Sequence, residues 1–581
     1  MKHLFATAVL TLGLVLLLVF AHRFGPQHAK ALTFAEISTG DSVSCALVSS
    51  GGAVKCWGRN LSGELGLGTT GSPYEQSSVP LPVCATGVWN GTTCSGGSAL
   101  IGYGISLGST AGHNCALITY LVVDCWGSNP YGQVGHGSTT TPVVNPAHVQ
   151  CQGSNQYCVG GLLAGIVRVR TGVQHTCALA WDGLVWCWGR NAFGQLGDGT
   201  TTSRSHARRV CASGSGLDCS GGTPLTGIVD ITVGSESSCA LTSGGAVKCW
   251  GRNAQGQVGD GTTTNRSLPV AVSGLTSGVG SITAGSRHAC AQITSGGGAK
   301  CWGFNAHGQL GDGTTIGRTT PVSVCASGTW NGSACSGGSA LSGANSLSAG
   351  TGHTCALMAS SPYVRCWGSQ WFGQLGNSVD ASVAGSALAK NPASWTLPSW
   401  GSPQPSALSA GGAHTCAIIS TYAECWGWND FGQLGNNSTT STTSWIGHDS
   451  DKDGCIDAYE LGPNHAYGGQ RDPTNFYDFF DTYDNSNVRD RKVDSSDATR
   501  VVARNGTSGS ASANPLTPPP TPPPAVYHPI YDRQDDPGSS QAWDLIVGNG
   551  TINGTDATAV ANQLGDTCAT PTPTLTPTPT P

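Results

Sequence analysis

Charge is scarce in this chain of 581 residues: Asp, Glu, Lys and Arg together make up 10%. A formal net charge of −6 supplies no broad positive surface, which removes the electrostatic footing of nucleic-acid binding. Beyond Ala21 no segment is apolar enough to span a bilayer. The 85 glycines follow no three-residue period, which excludes a collagen-like helix and points to many tight turns between short strands. Close Cys-x-x-Cys pairs are missing, which argues against structural zinc. No phosphate loop, Ser-His-Asp arrangement or paired carboxylate is recognisable before residue 445, and the acids there (Glu75, Asp124, Asp182, Asp218, Asp230, Glu236) are scattered.

Cysteine, by contrast, is plentiful. The chain opens with Met1-Lys2-His3, an apolar run from Leu4 to Ala21 and small residues around Ala29-Lys30-Ala31. This is the pattern of a secretory signal over residues 1–31, with an uncleaved membrane anchor as the alternative. Either exports the rest to a secreted or cell-surface location, where 24 cysteines imply disulfides. Fourteen form seven regular pairs: Cys45 with Cys56, Cys115 with Cys125, Cys177 with Cys187, Cys239 with Cys249, Cys290 with Cys301, Cys355 with Cys366 and Cys416 with Cys425. Eight more pair closely between those copies: Cys84 with Cys94, Cys151 with Cys158, Cys211 with Cys219 and Cys325 with Cys335. Cys455 and Cys568 remain, and a bridge between them would join the ends of the C-terminal region.

Each regular pair flanks a Gly-rich turn and ends in Cys-Trp-Gly, as in Cys45-Ala46-Leu47-Val48, Ser49-Ser50-Gly51-Gly52, Ala53-Val54-Lys55-Cys56-Trp57. Two short runs about such a turn predict a hairpin with its cysteines face to face. The seven tryptophans of these motifs stand 52 to 69 residues apart, enough for a four-stranded blade plus a variable loop. Seven blades closing a ring leave no long exposed edge. The predicted class is therefore all-β, a seven-bladed β-propeller over residues 32–445. Gly-x-x-His-x-Cys-Ala-Leu, Gly-x-Val-x-Cys-Trp-Gly-x-Asn and Gly-Gln-Leu-Gly-Asp-Gly-Thr resemble the regulator of chromosome condensation repeat, and the resemblance implies the same fold. The guanine-nucleotide exchange activity of eukaryotic relatives acts inside cells, and export disfavours it here.

His113, His175, His288, His353 and His414 recur just ahead of the first cysteine of a pair. A residue repeated once per blade serves the blade, so a bond to a neighbouring turn is expected rather than a metal or catalytic site. The glycines after tryptophan are expected to let strands approach near the axis, and the Leu-Gly pairs to pack between blades. Binding is expected in the variable, cysteine-pinned segments Tyr74–Ala99, Pro146–Leu162, Arg204–Thr223 and Val322–Leu341, because loops on rigid scaffolds carry function.

After Trp445 the composition changes, and residues 446–568 read as a small α-containing EF-hand or dockerin-like region. Asp449, Asp451, Asp453, Asp457 and Glu460 occupy positions 1, 3, 5, 9 and 12 of an EF-hand loop, with Gly454 at the sharp turn. The Cys455 carbonyl would supply position 7, making Ca2+ the expected cofactor. Segments near Asp490–Asp497 and Asn549–Asp556 resemble dockerin half-loops. They carry Ser486 and Val488, or Leu545 and Val547, where the first acids should stand. A Pro-rich spacer covers residues 515–524, and Thr-Pro repeats form a linker over 569–581. The functional expectation is a secreted, non-enzymatic propeller that binds a protein or glycan and no nucleic acid. It would touch a membrane only if the N-terminal segment stays attached. The alternatives are an inhibitor or regulator of a secreted enzyme, and a secreted hydrolase or lyase.

Overall fold

The computed structural model describes residues 33–70, 72–107, 112–152, 156–360, 363–376, 388–395, 405–419, 422–447, 533–535 and 545–547. Seven four-stranded antiparallel sheets dominate them, each with its strands in chain order. Blade one runs from Phe34–Thr39 to Gln76–Pro82, and blade two from Gly104–Leu107 to Val143–His148. Blade three spans Ile166–Thr171 to Arg204–Arg209, and blade four Ile228–Val233 to Arg266–Ala271. Blades five, six and seven run from Val279–Ala284 to Arg318–Ser323, from Ala344–Ala349 to Leu388–Trp395, and from Pro405–Ala410 to Thr442–Gly447. First strands of successive blades touch one another, so they line the axis. Among the described residues the only helical turns are two 3-10 turns, Thr119–Leu121 and Leu217–Cys219. The EF-hand residues Asp449, Asp451, Asp453, Asp457 and Glu460, and Cys455 and Cys568, lie outside the described residues. In that part of the chain the structure describes one antiparallel strand pair, Arg533–Asp535 with Leu545–Val547.

Second strands are buried on both faces, because each blade is packed between two others: Val43–Val48 is buried throughout. Inside each hairpin the cysteines stand opposite in register. Cys45 faces Cys56, Cys115 faces Cys125, Cys177 faces Cys187 and Cys239 faces Cys249. Cys290 faces Cys301, Cys355 faces Cys366 and Cys416 faces Cys425 in the same way. All seven of these pairs are disulfide-bonded with Cα atoms 4.1 Å apart. Closing a loop of this size stabilises by roughly 2–3 kcal/mol on the chain-entropy model. Four further disulfides, Cys84–Cys94, Cys151–Cys158, Cys211–Cys219 and Cys325–Cys335, pin the segments between blades.

One hydrogen-bonded unit recurs at the junctions. The indole N–H of Trp57, Trp126, Trp188, Trp250, Trp302, Trp367 and Trp426 donates to a main-chain carbonyl of the preceding blade, at 2.8–3.0 Å. That carbonyl belongs to Gln433, Glu64, Gln133, Gln195, Gln257, Gln309 and Gln374 respectively. The ring closes through the same chemistry, Trp57 of blade one on Gln433 of blade seven. Glycine next to this contact is a matter of space as well as backbone. A Cβ on Gly435, whose φ is +74°, would stand 2.7 Å from the Trp57 nitrogen.

The five histidines complete the unit. Their Nε2 atoms lie 2.8–2.9 Å from a Ser or Thr hydroxyl of the next blade: His113–Thr176, His175–Ser238, His288–Thr354, His353–Thr415 and His414–Ser44. Each hydroxyl donates its single proton to the Gln carbonyl that also receives the tryptophan. The histidine must therefore donate from Nε2, which leaves Nδ1 unprotonated and without a donor. Blades one and four carry Val43 and Ser237 at the histidine position, and the residues that would face them are Asn114 and Ala289 rather than Ser or Thr. Histidine and hydroxyl are present together or missing together. The expected bond to a neighbouring turn is thus a bond to the adjacent blade's second strand. The glycine after each tryptophan is also explained differently from the expectation: a Cβ on Gly58 would lie 2.3 Å from the Ser42 carbonyl of its own blade, so the close approach is within the blade.

Candidate binding site on one face of the propeller

In a four-stranded blade the connections one-to-two and three-to-four emerge on one face. The connections two-to-three and four-to-next emerge on the other. The three-to-four connection is built by two polar residues of the repeat. Asn191, buried, accepts from the Leu196 N–H through Oδ1 and donates through Nδ2 to the carbonyls of Thr200 and Thr202. Gln195 accepts the Phe193 N–H on its side-chain oxygen, and the corresponding Gln does so for Tyr131, Gln255, His307, Phe372 and Phe431. A buried Gln thus fixes the turn with its side chain and the junction with its carbonyl. The turn in between presents two residues that the repeat leaves free.

On blades two and three the aromatic rings at those positions lie under arginines, while blade four holds exposed Ala254 and Gln255 there. The Arg190 guanidinium lies over the Tyr131 and Phe193 rings at 5.2 and 5.6 Å, and Arg252 over Phe193 at 4.9 Å. Both arginines are paired with Glu236. Blade one is likewise self-satisfied, with Arg59 bonded to Glu64 at 3.0 Å. Burial holds the Glu64 and Asp41 carboxyls above the usual carboxylate range.

Around blade six the surface differs, although Phe431 of blade seven lies under Arg59 at 6.0 Å. Here the same connections surround a concavity of about 400 Å3. Its aromatic wall is Phe304, His307, Trp371 and Phe372. The His307 ring stands edge-on to Trp371 at 5.6 Å and to Phe304 at 5.9 Å, so the wall is braced from within. Trp371 and Phe372 are nonetheless 59% and 40% exposed. Ser286, Thr351 and Ser369 supply hydroxyls, the buried Gln374 side chain is taken up by the Phe372 N–H and Ser369, and Arg287 is the single fully charged side chain of the lining. The Arg287 side chain is exposed and makes no hydrogen bond or ion pair among the described residues.

The expected binding segments lie elsewhere. The cysteine-pinned stretches follow the fourth strands, so they belong to the opposite face and the outer rim. There Asn145 of blade two donates to the Cys84 and Gly87 carbonyls at 3.0 and 2.9 Å. The residues of the concavity carry no signal in the repeat pattern itself: His307 sits in an unspecified position of Asn-x-x-Gly-Gln, Trp371 and Phe372 follow Gln370 in a copy that lacks the Asn, and Arg287 sits in the unspecified part of Gly-x-x-His. The available signal was that those positions hold Tyr131, Phe193, Phe372 and Phe431 in a chain with 7% aromatics. The five junction histidines are no site: burial pushes each down to about 3, and protonation would aim Nδ1–H at no acceptor. Four scattered acids, Asp124, Asp218, Asp230 and Glu236, are held by His148, Arg209, Arg168 and the arginine pair. Among the described residues no three His, Cys, Asp or Glu side chains converge on a metal position, and no helix is long and apolar enough to cross a membrane.

Two family models described as "Regulator of chromosome condensation (RCC1) repeat" match the chain, one at residues 166–195, 228–257 and 281–309, the other at 182–241 and 245–292. The ultraviolet-B receptor UVR8 of Arabidopsis thaliana is 29% identical over 306 residues, 52% of this chain and 60% of the receptor. The probable E3 ubiquitin-protein ligase HERC4 of Rattus norvegicus is 32% identical over 221 residues, 38% of this chain but 19% of the ligase. The chain thus spans less than two thirds of either relative. Among solved structures, yeast RCC1 (Prp20) bound to Kap60 superimposes with a TM-score of 0.51 at 18% identity, over 73% of this chain and 88% of that one. Human WBSCR16 does so with 0.50 at 20% identity, over 68% and 93%. These likenesses concern the fold. The chain carries regulator of chromosome condensation (RCC1) repeats, and they build a seven-bladed β-propeller.

Proposed function

We propose that this propeller is a non-enzymatic binding domain, exported from the cell, that holds a protein or glycan partner in the concavity of blades five to seven. The observation that carries the reading is a contrast between turns on one face. The rings of Tyr131 and Phe193 on blades two and three lie under arginines paired with Glu236, whereas among the described residues no arginine lies over Trp371 or Phe372 and the Arg287 beside them has no ion pair. Exposed aromatic area with a few convergent polar groups in a concave site is what a ligand pocket offers. Eleven disulfides suit an oxidising compartment. Asp124, Asp230 and Glu236 are each held in an ion pair, which speaks against their use as a hydrolytic carboxylate pair. UVR8 is named as a receptor, and the Prp20 structure was solved with Kap60 bound, so propellers of this build serve as binding scaffolds. The test is retention of a partner from the secretome of the producing cells by the immobilised full chain. Trp371→Ala should lose what the wild type retains, and equal retention refutes the assignment.

A further inference from the structure

We infer that the concavity takes an acidic saccharide: a sugar ring lies on Trp371 and its carboxylate meets Arg287. This rests on the binding reading above and narrows it to a ligand class. The charge argument comes first. Arg287 carries the one full charge of the lining and makes no ion pair or side-chain hydrogen bond among the described residues, whereas the neighbouring Arg190 and Arg252 share Glu236 as an ion-pair partner. An unpaired guanidinium at the mouth of a concave site is complementary to a planar anion, which it can bind through two parallel N–H bonds.

The shape argument selects the rest of the ligand. Trp371 is braced edge-on by His307 and keeps its face to solvent, a platform for a flat, partly apolar ring. Ser286, Thr351 and Ser369 bring hydroxyl groups to the lining; Ser286 is bonded to Ser235 at 2.7 Å and Ser369 accepts from Gln374 at 3.2 Å, so a sugar hydroxyl would use their remaining hydrogen-bonding capacity. The walls are connections between strands, not a free sheet edge, so an extended peptide could not dock here by adding a strand. Gly352 stands where blade five has Arg287, its φ is not left-handed, and an added Cβ would reach 3.3 Å from the Ser369 Cβ and 3.7 Å from the His307 ring. Nothing in the backbone demands glycine at 352; space does.

The experiment is calorimetric titration of the full chain with trigalacturonate, the neutral chitotriose and a polyglutamate peptide. Trigalacturonate should bind, more weakly as salt rises, and chitotriose about tenfold less tightly or not at all. Arg287→Gln, Trp371→Ala and Gly352→Val should each cost about tenfold or more in trigalacturonate affinity. Trp181→Ala, at an exposed tryptophan on the opposite face, should leave it unchanged. Thermal unfolding of each variant confirms its fold. Equal binding by Arg287→Gln, or polyglutamate competing as well as the uronate, overturns the inference. If no saccharide binds while Trp371→Ala still loses the secretome partner, the ligand class is wrong and the site stands. If partner retention is indifferent to Trp371, the site itself is wrong.

Discussion

Acidification should unfold this propeller through its junction histidines. Five imidazoles are buried at the blade junctions and held down to about 3, against about 6.5 in an unfolded chain. Above pH 6.5 both states are neutral and the full stability is present. Below it the unfolded chain takes up a proton at each histidine and the folded chain does not, so stability is lost until the pH nears 3. At pH 5 the loss is about 2 kcal/mol per histidine, and about 10 kcal/mol for the five. Glu424 opposes this. Burial raises its carboxyl to about 8, so its folded form takes up a proton as the pH falls, returning about 3 kcal/mol between pH 7.5 and 5. Glu36, Asp41, Glu64 and Asp124, also raised by burial, act in the same sense as Glu424, so the net loss is at most about 7 kcal/mol, of the order of a domain's whole stability. Denaturant titrations at half-unit pH steps from 7.5 to 5, disulfides intact, should show it. Replacing one histidine, as in His175→Gln, should lower the limiting slope by about 1.4 kcal/mol per pH unit. A Glu424→Gln protein whose stability is flat between pH 6.5 and 5, or an unchanged slope in His175→Gln, would refute the reasoning.

Four other outcomes are expected. The double change Ser237→His/Ala289→Thr, measured as a double-mutant cycle by urea denaturation, should recreate the missing junction pair. It should show favourable coupling of about 1 kcal/mol, where additivity would mean the pair is not a unit. Trp250→Phe leaves the Gln195 carbonyl with one donor fewer in a buried junction and should cost about 1–3 kcal/mol in the same assay. Cys177→Ser with Cys187→Ser should cost roughly 2–3 kcal/mol if the chain-entropy account holds. Asp449→Ala with Glu460→Gln should abolish calcium uptake measured by calorimetry; uptake equal to wild type would mean that this acidic loop is not the site.

The fold was legible because its cause is periodic. Cys-turn-Cys-Trp-Gly repeats hairpin, crosslink and junction donor together, so each copy announces a blade. What the sequence hid was each bond that crosses from copy to copy. His175 and Ser238 lie 63 residues apart, and their dependence shows only where both are missing, at Val43 with Asn114 and at Ser237 with Ala289. The candidate site was hidden for the opposite reason. Trp371, Phe372 and Arg287 come from different connections in neighbouring copies, and each occupies a position the repeat does not specify. The pinned segments are conspicuous for their cysteine pairs, which mark restrained chain, and they lie on the opposite face and rim.

The regular crosslinks also set what can happen to the molecule over longer spans of time. Each described disulfide closes a loop inside one copy or one connecting segment, and none ties two blades together. Covalently the propeller is a necklace of small rings. A protease nick between blades leaves fragments that part in denaturant without any reductant, while a nick inside a hairpin does not. The same arrangement makes a copy portable. A duplicated stretch arrives with its own bridge, an indole that reaches backward and a Gln carbonyl that offers itself forward. Gene duplication could therefore add or exchange blades with no cysteine left seeking a partner and no junction left without its donor.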